Sequence, residues 1–314
     1  MEKEPQITVL MPVYNGAGYI QEAIESVLRQ TFTDFELLIV NDGSTDDTAE
    51  IIGAFSDKRI RVLHRINGGV SAALNTGLEE AKAGYIARFD ADDLCYPTRL
   101  AQQYQFMRNN PDYVLIGSDA DYMTEEGNYL FKYVNIGHSN EEIQEQINTY
   151  CPFIHSSVFY KKEVVLNCGG YEVNAHTFED YFLWIRLAKK GKVCNFKESL
   201  IKVRFNASSV TVDEKDREPI FVSVKKKALT TGIISDAEGE ILLKSIKRLS
   251  KTKKESSYHR MLGKKYLWNN YQPRNARKHI LKSIHLDPIK LNTYLLLVLS
   301  FFPKKIIERI YNTK

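Results

Sequence analysis

The sequence has no run of 18 apolar residues, and none of its four cysteines belongs to a C-x-x-C pair. The first absence predicts that no helix spans a membrane. The second removes the usual indication of a zinc site or a redox motif, so we expect free thiols in a reducing cytosol. The charged start of the chain runs into a strand-like segment, which is not typical of a signal peptide. The cysteines are Cys95, Cys151, Cys168 and Cys194.

Charge is unevenly distributed along the 314 residues, although the net charge is only +4. Residues 1–215 contain 21 Lys and Arg against 31 Asp and Glu, whereas residues 216–314 contain 22 against 8. A basic tail on an acidic body indicates an anionic partner, such as phospholipid, or else a solvated lysine-rich surface. Nucleic acid is not expected, because the tail lacks the alternation of aromatic and basic residues used to bind single strands.

Strand and helix patterns alternate over the first 90 residues. This alternation predicts an α/β fold with a Rossmann-like, mainly parallel sheet flanked by helices on both faces. In such sheets ligands bind beyond the carboxyl ends of the strands, where this chain has Tyr14, Asp42 and Asp90–Asp93. The strand-like runs are Ile7–Val13, Phe35–Val40, Ile60–Leu63 and Tyr85–Phe89.

Three regions are expected along the chain. Residues 1–105 contain the strand–helix alternation, 106–215 follow a looser pattern, and 216–314 form a basic helical region. In the last region Leu291–Pro303 is apolar and is followed by Lys304, Lys305 and Arg309. Thirteen residues are too few to span a bilayer, so this segment lies either in a membrane interface or against the protein body.

The densest group of carboxylates is Asp90, Asp92 and Asp93, directly after an apolar strand. Carboxylates this close repel one another unless a cation is present. Hard oxygen ligands suit Mg²⁺ or Mn²⁺ carrying substrate phosphates. The alternative is an acidic loop that caps the helix beginning near Pro97, and Asp93 fits that role.

Five segments of the chain resemble those of glycosyltransferase family 2, and they occur in the family's order over about 200 residues. The resemblance implies the GT-A fold, an inverting sugar transfer, a nucleotide diphosphate sugar donor and a divalent metal, Mn²⁺ or Mg²⁺. The segments are Val9–Asn15, Ile39–Thr48, Asn67–Gly77, Asp90–Asp93 and Glu179–Trp184.

The same resemblance implies that residues 1–105 are the nucleotide-sugar-binding half of the GT-A domain and 106–215 its acceptor-binding half. The nucleotide-sugar site would be formed by residues from four of these segments and by Arg88. Pro12, Val13 and Tyr14 would frame the base, and Asp42 would accept a hydrogen bond from a uracil-type N–H, since a carboxylate can only accept. Asp42 could instead simply form the turn before Gly43. The remaining implied contacts are Asn67, Gly69 and Asn75 around the nucleotide, Arg88 at the phosphate or the acidic cluster, Asp90 at the ribose, Ala91 as a further residue of the nucleotide-sugar site, and Asp92 at the metal.

Asp180 would be the catalytic base by the same resemblance, with Glu179 as the second candidate. An inverting transfer needs a carboxylate that takes the proton of the attacking hydroxyl group. Either residue could instead be an ordinary acidic residue at a helix start. Asn75 could likewise tie a helix rather than touch the nucleotide, and Arg88 could simply pair with Asp90.

Three further residues are candidates for contact with the donor sugar or the acceptor: His155, Arg204 and Asn206. Many relatives have a histidine two residues after the arginine, where this chain has Asn206. An amide oxygen coordinates a hard cation weakly, which leaves the metal's identity open. His155 could equally be a structural residue, and Trp184 is expected in the core.

The sequence therefore predicts a metal-dependent hexosyl or N-acetylhexosaminyl transferase, using a UDP-sugar and a saccharide or lipid-linked acceptor of a cell-surface polysaccharide. We expect it in the cytoplasm, with peripheral contact to the anionic inner face of the membrane. A nucleotidyltransferase is disfavoured because Tyr14–Gly18 contains no basic residue, and a dehydrogenase because no third glycine follows Gly16 and Gly18. A non-catalytic nucleotide-sugar-binding module acting through its basic tail remains the alternative.

Overall fold

The computed structural model describes residues 4–206, 218–246 and 250–312. Its first part alternates strands and helices as the sequence predicts, and every residue of the first two strands is buried. Strands buried on both faces are typical of a parallel sheet covered by helices. The elements are β1 (Ile7–Val13), α1 (Ile20–Leu28), β2 (Phe35–Asn41), α2 (Thr48–Gly53), β3 (Ile60–His64), α3 (Val70–Glu80) and β4 (Tyr85–Arg88).

The second part adds mostly antiparallel strands to the same sheet. The apolar run near Val114 belongs to a much longer strand, which continues through the polar residues Ser118, Asp119 and Asp121. The elements are β5 (Leu94–Cys95), α4 (Arg99–Asn109), β6 (Tyr113–Met123), β7 (Tyr129–Tyr133), α5 (Asn140–Gln146), a 3₁₀ turn (His155–Ser157), β8 (Phe159–Lys161), α6 (Lys162–Asn167), α7 (Glu179–Leu187) and β9 (Lys192–Arg204).

Within the described residues these nine strands form one sheet, with the order β3-β2-β1-β4-β8-β6-β9-β5 and β7 paired to β6. The strands β3, β2, β1 and β4 run parallel, and β8 joins β4 in the antiparallel sense. The carboxyl ends of β1, β2 and β4 therefore lie side by side, as the alternation predicts. This edge carries the polar residues that the sequence singles out.

Helix α3 packs closely on the strands that hold this edge. Gly77 lies in the middle of the helix, and a Cβ there would collide with Cδ1 of Leu10 and lie 3.1 Å from Cγ2 of Val40. Because both side chains are completely buried, only glycine allows this approach. The beginning of α3 is thereby fixed beside the end of β2.

Two compact units are distinguished by their internal contacts. The first consists of Met1–Asp121, Lys132–Val203 and Ile220–Leu243, and the second of Tyr122–Phe131, Arg204–Pro219 and Lys244–Lys314. The predicted boundary near residue 216 stays a prediction, and part of it, 207–217, lies outside the described residues. The last helices are α8 (Pro219–Thr231), α9 (Asp236–Ser245), α10 (Lys251–Trp268), α11 (Pro273–Leu286), α12 (Leu291–Leu299) and α13 (Lys304–Asn312).

The second unit is built around the helix pair α10 and α11. Ile280 packs over Gly263, where a Cβ would lie 2.5 Å from its Cγ1, and the hydroxyl groups of Ser256 and Ser283 are 3.0 Å apart. A small core of Leu267, Ala276, Ile280 and Ile307 joins this pair to α13. Across the described parts of the chain, every helix is too short or too polar to cross a bilayer.

Candidate nucleotide-sugar site

The loop after β1 is fastened to the loop after β2 by hydrogen bonds. Asn15 has a φ of 52°, a left-handed conformation that asparagine tolerates. Its Oδ1 accepts from the backbone N–H of Thr45 at 2.8 Å, and its own N–H donates to Oγ of Ser44 at 3.0 Å. Pro12 and Val13 are buried within β1, whereas the Tyr14 side chain is 53% exposed at the tip. The exposed Tyr14 ring therefore lies on a loop whose conformation is held by hydrogen bonds.

Asp42 directly follows β2 and is 3% exposed. Its carboxylate accepts from Nη1 of Arg65 at 2.8 Å, from the N–H of Gly68 at 3.1 Å and from the N–H of Gly69 at 2.8 Å. The Gly68 N–H also reaches the second oxygen at 3.2 Å, so each oxygen of Asp42 accepts two hydrogen bonds. This shared, longer bond is the one that a ligand N–H could replace, since a carboxylate can only accept. The Arg65 contact was missed by the sequence reasoning, although the residue lies close before Asn67.

The segment before α3 closes around Asp42. Nδ2 of the exposed Asn67 donates to the Asp42 carbonyl at 3.0 Å. Gly69 has a φ of +85°, where a side chain would be strained, and it immediately precedes the helix. Asn67 and Gly69 therefore lie beside Asp42, at the edge where the nucleotide is expected.

Asn75 is used differently, as a tie between α3 and the loop before α7. Its Oδ1 accepts from the Tyr171 N–H and its Nδ2 donates to the Tyr171 carbonyl, both at 2.8 Å. Gly170 makes this tie possible, because a Cβ there would lie 2.6 Å from Oδ1 of Asn75. The helix-tying alternative thus describes the observed bonds, and contact of Asn75 with a nucleotide stays a prediction.

Arg88 ends β4 and is buried, with 2% exposure. Its Nη1 forms an ion pair with Oδ2 of Asp90, whereas its Nε has no hydrogen-bond partner among the described residues. Ala91 is nearly buried, and the Asp90 N–H donates to Oγ of the buried Ser156 at 3.1 Å. The turn after β4 is therefore held in place by its neighbours.

The carboxylates of Asp90, Asp92 and Asp93 converge after this turn. One oxygen of each lies within 4.8 Å of the others, with Asp93 buried and the other two partly exposed. Clustered carboxylate oxygens with an open side fit a hard divalent cation that also binds phosphates. The residues present thus have the chemistry that a Mg²⁺ or Mn²⁺ site needs.

Glu179 and Asp180 begin α7 beside this cluster. Burial, the neighbouring Asp180 and the charge of Asp90 raise the pKa of Glu179 to about 7, and Arg88 opposes the shift. Oδ1 of Asp180 accepts from the Tyr181 N–H at 2.6 Å. The electrostatic coupling joins the end of β4 to the beginning of α7, which are far apart in sequence.

The backbone before α7 is strained. Thr177 has a φ of 71°, which is unfavourable for a β-branched residue and costs on the order of 1–3 kcal/mol. It directly precedes Phe178, which is 1% exposed. Backbone strain of this kind is common at functional sites, where the surrounding packing enforces it.

His155 begins the 3₁₀ turn before β8 and is close enough to Arg88 to be affected by its charge. Its Nε2 is 3.1 Å from Oη of Tyr171, whose hydroxyl group is also 3.4 Å from that of Tyr160. Burial and the nearby Arg88 lower the pKa of His155 well below its usual value, so the ring is neutral near pH 7. Trp184 packs edge-on against His155 and is fully buried, which confirms that it belongs to the core.

Arg204 and Asn206 fall in the second unit and are both buried. Nη1 of Arg204 donates to the Glu125 carbonyl at 2.6 Å. Contact of either residue with donor, metal or acceptor stays a prediction. The following segment, from residue 207, lies outside the described residues.

The model of the glycosyl transferase family 2 domain matches residues 8–167. An uncharacterized glycosyltransferase of Rickettsia felis is 33% identical over 234 residues, covering 74% of this chain but only 38% of the relative. The O-antigen biosynthesis glycosyltransferase WbnJ of Escherichia coli is 32% identical over 215 residues, covering 65% and 81% of the two chains. The chain thus spans well under half the length of its Rickettsia relative.

The fold has solved counterparts. The S. aureus TarS fragment 1–349, in complex with UDP-GlcNAc, aligns with a TM-score of 0.55 at 16% identity, over 98% of this chain and 92% of the other. This likeness confirms the GT-A fold. The family match and the curated relatives agree on one class of protein, the glycosyltransferases. The chain belongs to glycosyl transferase family 2.

Proposed function

We propose that the protein is an inverting glycosyltransferase that uses a nucleotide diphosphate sugar, with UDP as the nucleotide. One observation carries the proposal: the Asp90–Asp93 cluster and the Glu179-Asp180 pair are electrostatically coupled around the buried Arg88. A cation-binding group beside a second pair of carboxylates supplies what sugar transfer requires, a partner for the departing diphosphate and a base for the acceptor.

UDP is the proposed nucleotide because its uracil base carries an N–H group that can donate to the Asp42 carboxylate. Asp42 can only accept hydrogen bonds, and a uracil N–H would fit it by replacing the longer of the two bonds from the Gly68 N–H. Tyr14 would lie against the base, and Asp90 would bind the ribose. The UDP-GlcNAc complex of TarS, a protein of the same fold, supports this choice.

Asp92 is the proposed metal ligand, with Mn²⁺ or Mg²⁺ as the ion. A bound cation would offset the negative charge that develops on the departing nucleoside diphosphate. Arg88 holds the neighbouring Asp90 carboxylate through their ion pair.

Asp180 is the proposed base. The acceptor hydroxyl oxygen attacks C1 of the sugar, its proton passes to the carboxylate, and the bond between C1 and the phosphate oxygen breaks with inversion. Glu179 shares the site and has a pKa raised to about 7, so it is partly protonated near neutral pH and repels the Asp180 carboxylate less than a fully ionised group would. A hexose or N-acetylhexosamine is the proposed sugar.

The acceptor is proposed to be a saccharide or lipid-linked saccharide of a cell-surface polysaccharide, and the relative WbnJ, an O-antigen biosynthesis enzyme, supports this class. A lipid-linked acceptor would place the enzyme at the inner face of the membrane. The basic C-terminal helices would suit such a location.

The test is a panel of nucleotide sugars with Mn²⁺, in which release of the nucleoside diphosphate is measured. One UDP-sugar should be turned over, Asp92→Ala should abolish its metal-dependent binding, and Asp180→Asn should bind UDP normally while losing about 10²–10⁴-fold in turnover. Unchanged turnover in Asp180→Asn would remove the base assignment. Metal-dependent UDP binding without turnover of any donor would favour the non-catalytic binding module.

A further inference from the structure

Helix α12 carries a row of exposed apolar side chains. Leu291, Leu295 and Val298 are 81%, 59% and 55% exposed and follow one another at the spacing of one helix face. Phe301 and Phe302, just beyond the helix, are 70% and 40% exposed. We call these five residues the α12 stripe. Contiguous exposed apolar surface of this kind marks an interaction site more often than isolated residues do.

The opposite side of α12 is packed within the second unit. Leu296, Leu297 and Leu299 lie against the cluster of Leu267, Ala276, Ile280 and Ile307, and Thr293 is completely buried. The helix is therefore anchored by one face while the other remains exposed. A fixed orientation of this kind presents the stripe as a surface.

Positive charges border the α12 stripe at both ends. Lys290 precedes the helix, and Lys304 and Lys305 follow the two phenylalanines. The Arg277 guanidinium lies 4.8 Å from the centre of the Phe301 ring, and its Nη1 donates to the Ser300 carbonyl at 2.8 Å. Residues 250–312 contain 14 Lys and Arg and three Asp and Glu, which gives a net charge of +11.

We infer that the α12 stripe inserts into the interface of an anionic lipid bilayer, with the bordering lysines at the headgroups. A nine-residue helix is about 14 Å long, less than half the hydrocarbon thickness, so it lies in the interface and does not cross it. Apolar insertion and attraction to anionic lipid are the two contributions that hold such helices. This inference does not depend on the proposed sugar transfer.

A second copy of the chain fits the stripe less well than a bilayer. Pairing two stripes would bring Lys290, Lys304 and Lys305 of both copies close together, and like charges oppose association. An anionic bilayer instead provides an apolar layer directly beneath negative headgroups. The apolar stripe and its bordering lysines therefore both find a complementary layer in the bilayer.

The experiment is sedimentation of the full chain with vesicles of phosphatidylcholine alone or with 30% phosphatidylglycerol, at low and high salt. We expect binding to the anionic vesicles at low salt and about fivefold weaker binding for each bordering lysine changed to glutamine. Absence of binding to anionic vesicles at low salt would overturn the inference. Equal binding to both lipids would also overturn it, because the charges would then have no part.

The stripe itself is tested by the triple variant Leu291→Ser, Leu295→Ser, Val298→Ser. We expect vesicle binding to fall at least about tenfold while UDP binding and the melting temperature stay near wild type. The matched control is Ile220→Ser, Val222→Ser, Ile233→Ser, three exposed apolar residues of the first unit, which should bind vesicles as wild type does.

Two results would refute the role of the stripe. Equal loss of binding in both triple variants would show a general effect of surface polarity. A wild-type dimer in sedimentation velocity that the stripe variant alone converts to a monomer, without any change in vesicle binding, would assign the surface to a second copy.

Discussion

Replacing Gly77 by alanine tests whether close packing of α3 on the sheet positions Gly68 and Gly69 at the proposed nucleotide site. The new Cβ would collide with Cδ1 of Leu10 and lie 3.1 Å from Cγ2 of Val40, inside the usual 3.5–4.0 Å optimum for carbon atoms. Overpacking costs about 1–3 kcal/mol, and the upper part of that range applies because both neighbours are completely buried. The higher helix propensity of alanine stabilises the helix by about 1 kcal/mol and offsets part of this cost. The net expectation is a loss of about 1–2 kcal/mol in the free energy of unfolding.

The chain offers a matched control in Gly53, a helical and exposed glycine where a Cβ would meet nothing within 4 Å. Gly53→Ala should stabilise the protein by about 0.5–1 kcal/mol, so the same substitution should have opposite signs at the two positions. The assay is thermal unfolding, in which 1 kcal/mol corresponds to about 2–4 °C for a domain of this size. A Gly77→Ala melting temperature at or above wild type would refute the packing argument.

The second readout of Gly77→Ala is UDP binding. The N–H groups of Gly68 and Gly69 donate to Asp42 at 3.1 Å and 2.8 Å, and α3 begins at the next residue. A displacement of the helix by about 1 Å would lengthen these bonds beyond hydrogen-bonding distance. Losing one such bond should raise the dissociation constant of UDP about fivefold. Unchanged UDP affinity in a destabilised Gly77→Ala would show that the helix start does not depend on this packing.

Two further variants probe the site. Asn75→Ala should lower the free energy of unfolding by about 2 kcal/mol, because two backbone groups of Tyr171 lose their partners, while UDP affinity measured by calorimetry changes less than about threefold; a large loss of affinity without loss of stability would instead place Asn75 at the nucleotide. Glu179 has a pKa raised from 4.5 to about 7, so the folded state holds its proton more tightly than the unfolded state, and stability falls as the pH rises between these values. Glutamine does not titrate, so the free energy of unfolding of Glu179→Gln, measured in urea, should rise relative to that of wild type by up to about 3 kcal/mol as the pH goes from 5 to 8. A difference that stays constant across that range would contradict the raised pKa of Glu179.

The parallel half of the fold was predictable because its signals are local. The strand over Ile7–Val13 and the helix from Val70 follow from continuous apolar runs and from helical spacing. The helix after Asp42 begins at Thr48 and has no side-chain cap among the described residues, because the nearby hydroxyl group of Ser44 accepts from the Asn15 N–H instead. The loops after β1 and β2 lie against each other, so a hydroxyl group near a helix start can bond to the other loop and not to the helix.

The convergence of the site was only partly predictable. Asp42 and Asp90 follow strands, and parallel strands place their ends at one edge, so their proximity follows from topology. The position of Glu179 could not be read in this way, because it depends on β8 joining β4 in the antiparallel sense and on the tie between Asn75 and Tyr171. Those contacts join residues about 70 to 100 positions apart and leave no periodic signal in the sequence.

The buried Arg88 has a consequence for how the protein can be altered. Three features each make the folded state less stable than it could be. They are a guanidinium nitrogen of Arg88 that has no hydrogen-bond partner within the described part of the chain, a carboxyl group at Glu179 that resists ionisation, and a left-handed threonine at position 177. Substitutions that remove these features would be recovered in any selection for heat resistance alone. A thermostable variant with changes in this small region would therefore be expected to have exchanged activity for stability, which makes the region a natural one to hold constant during engineering.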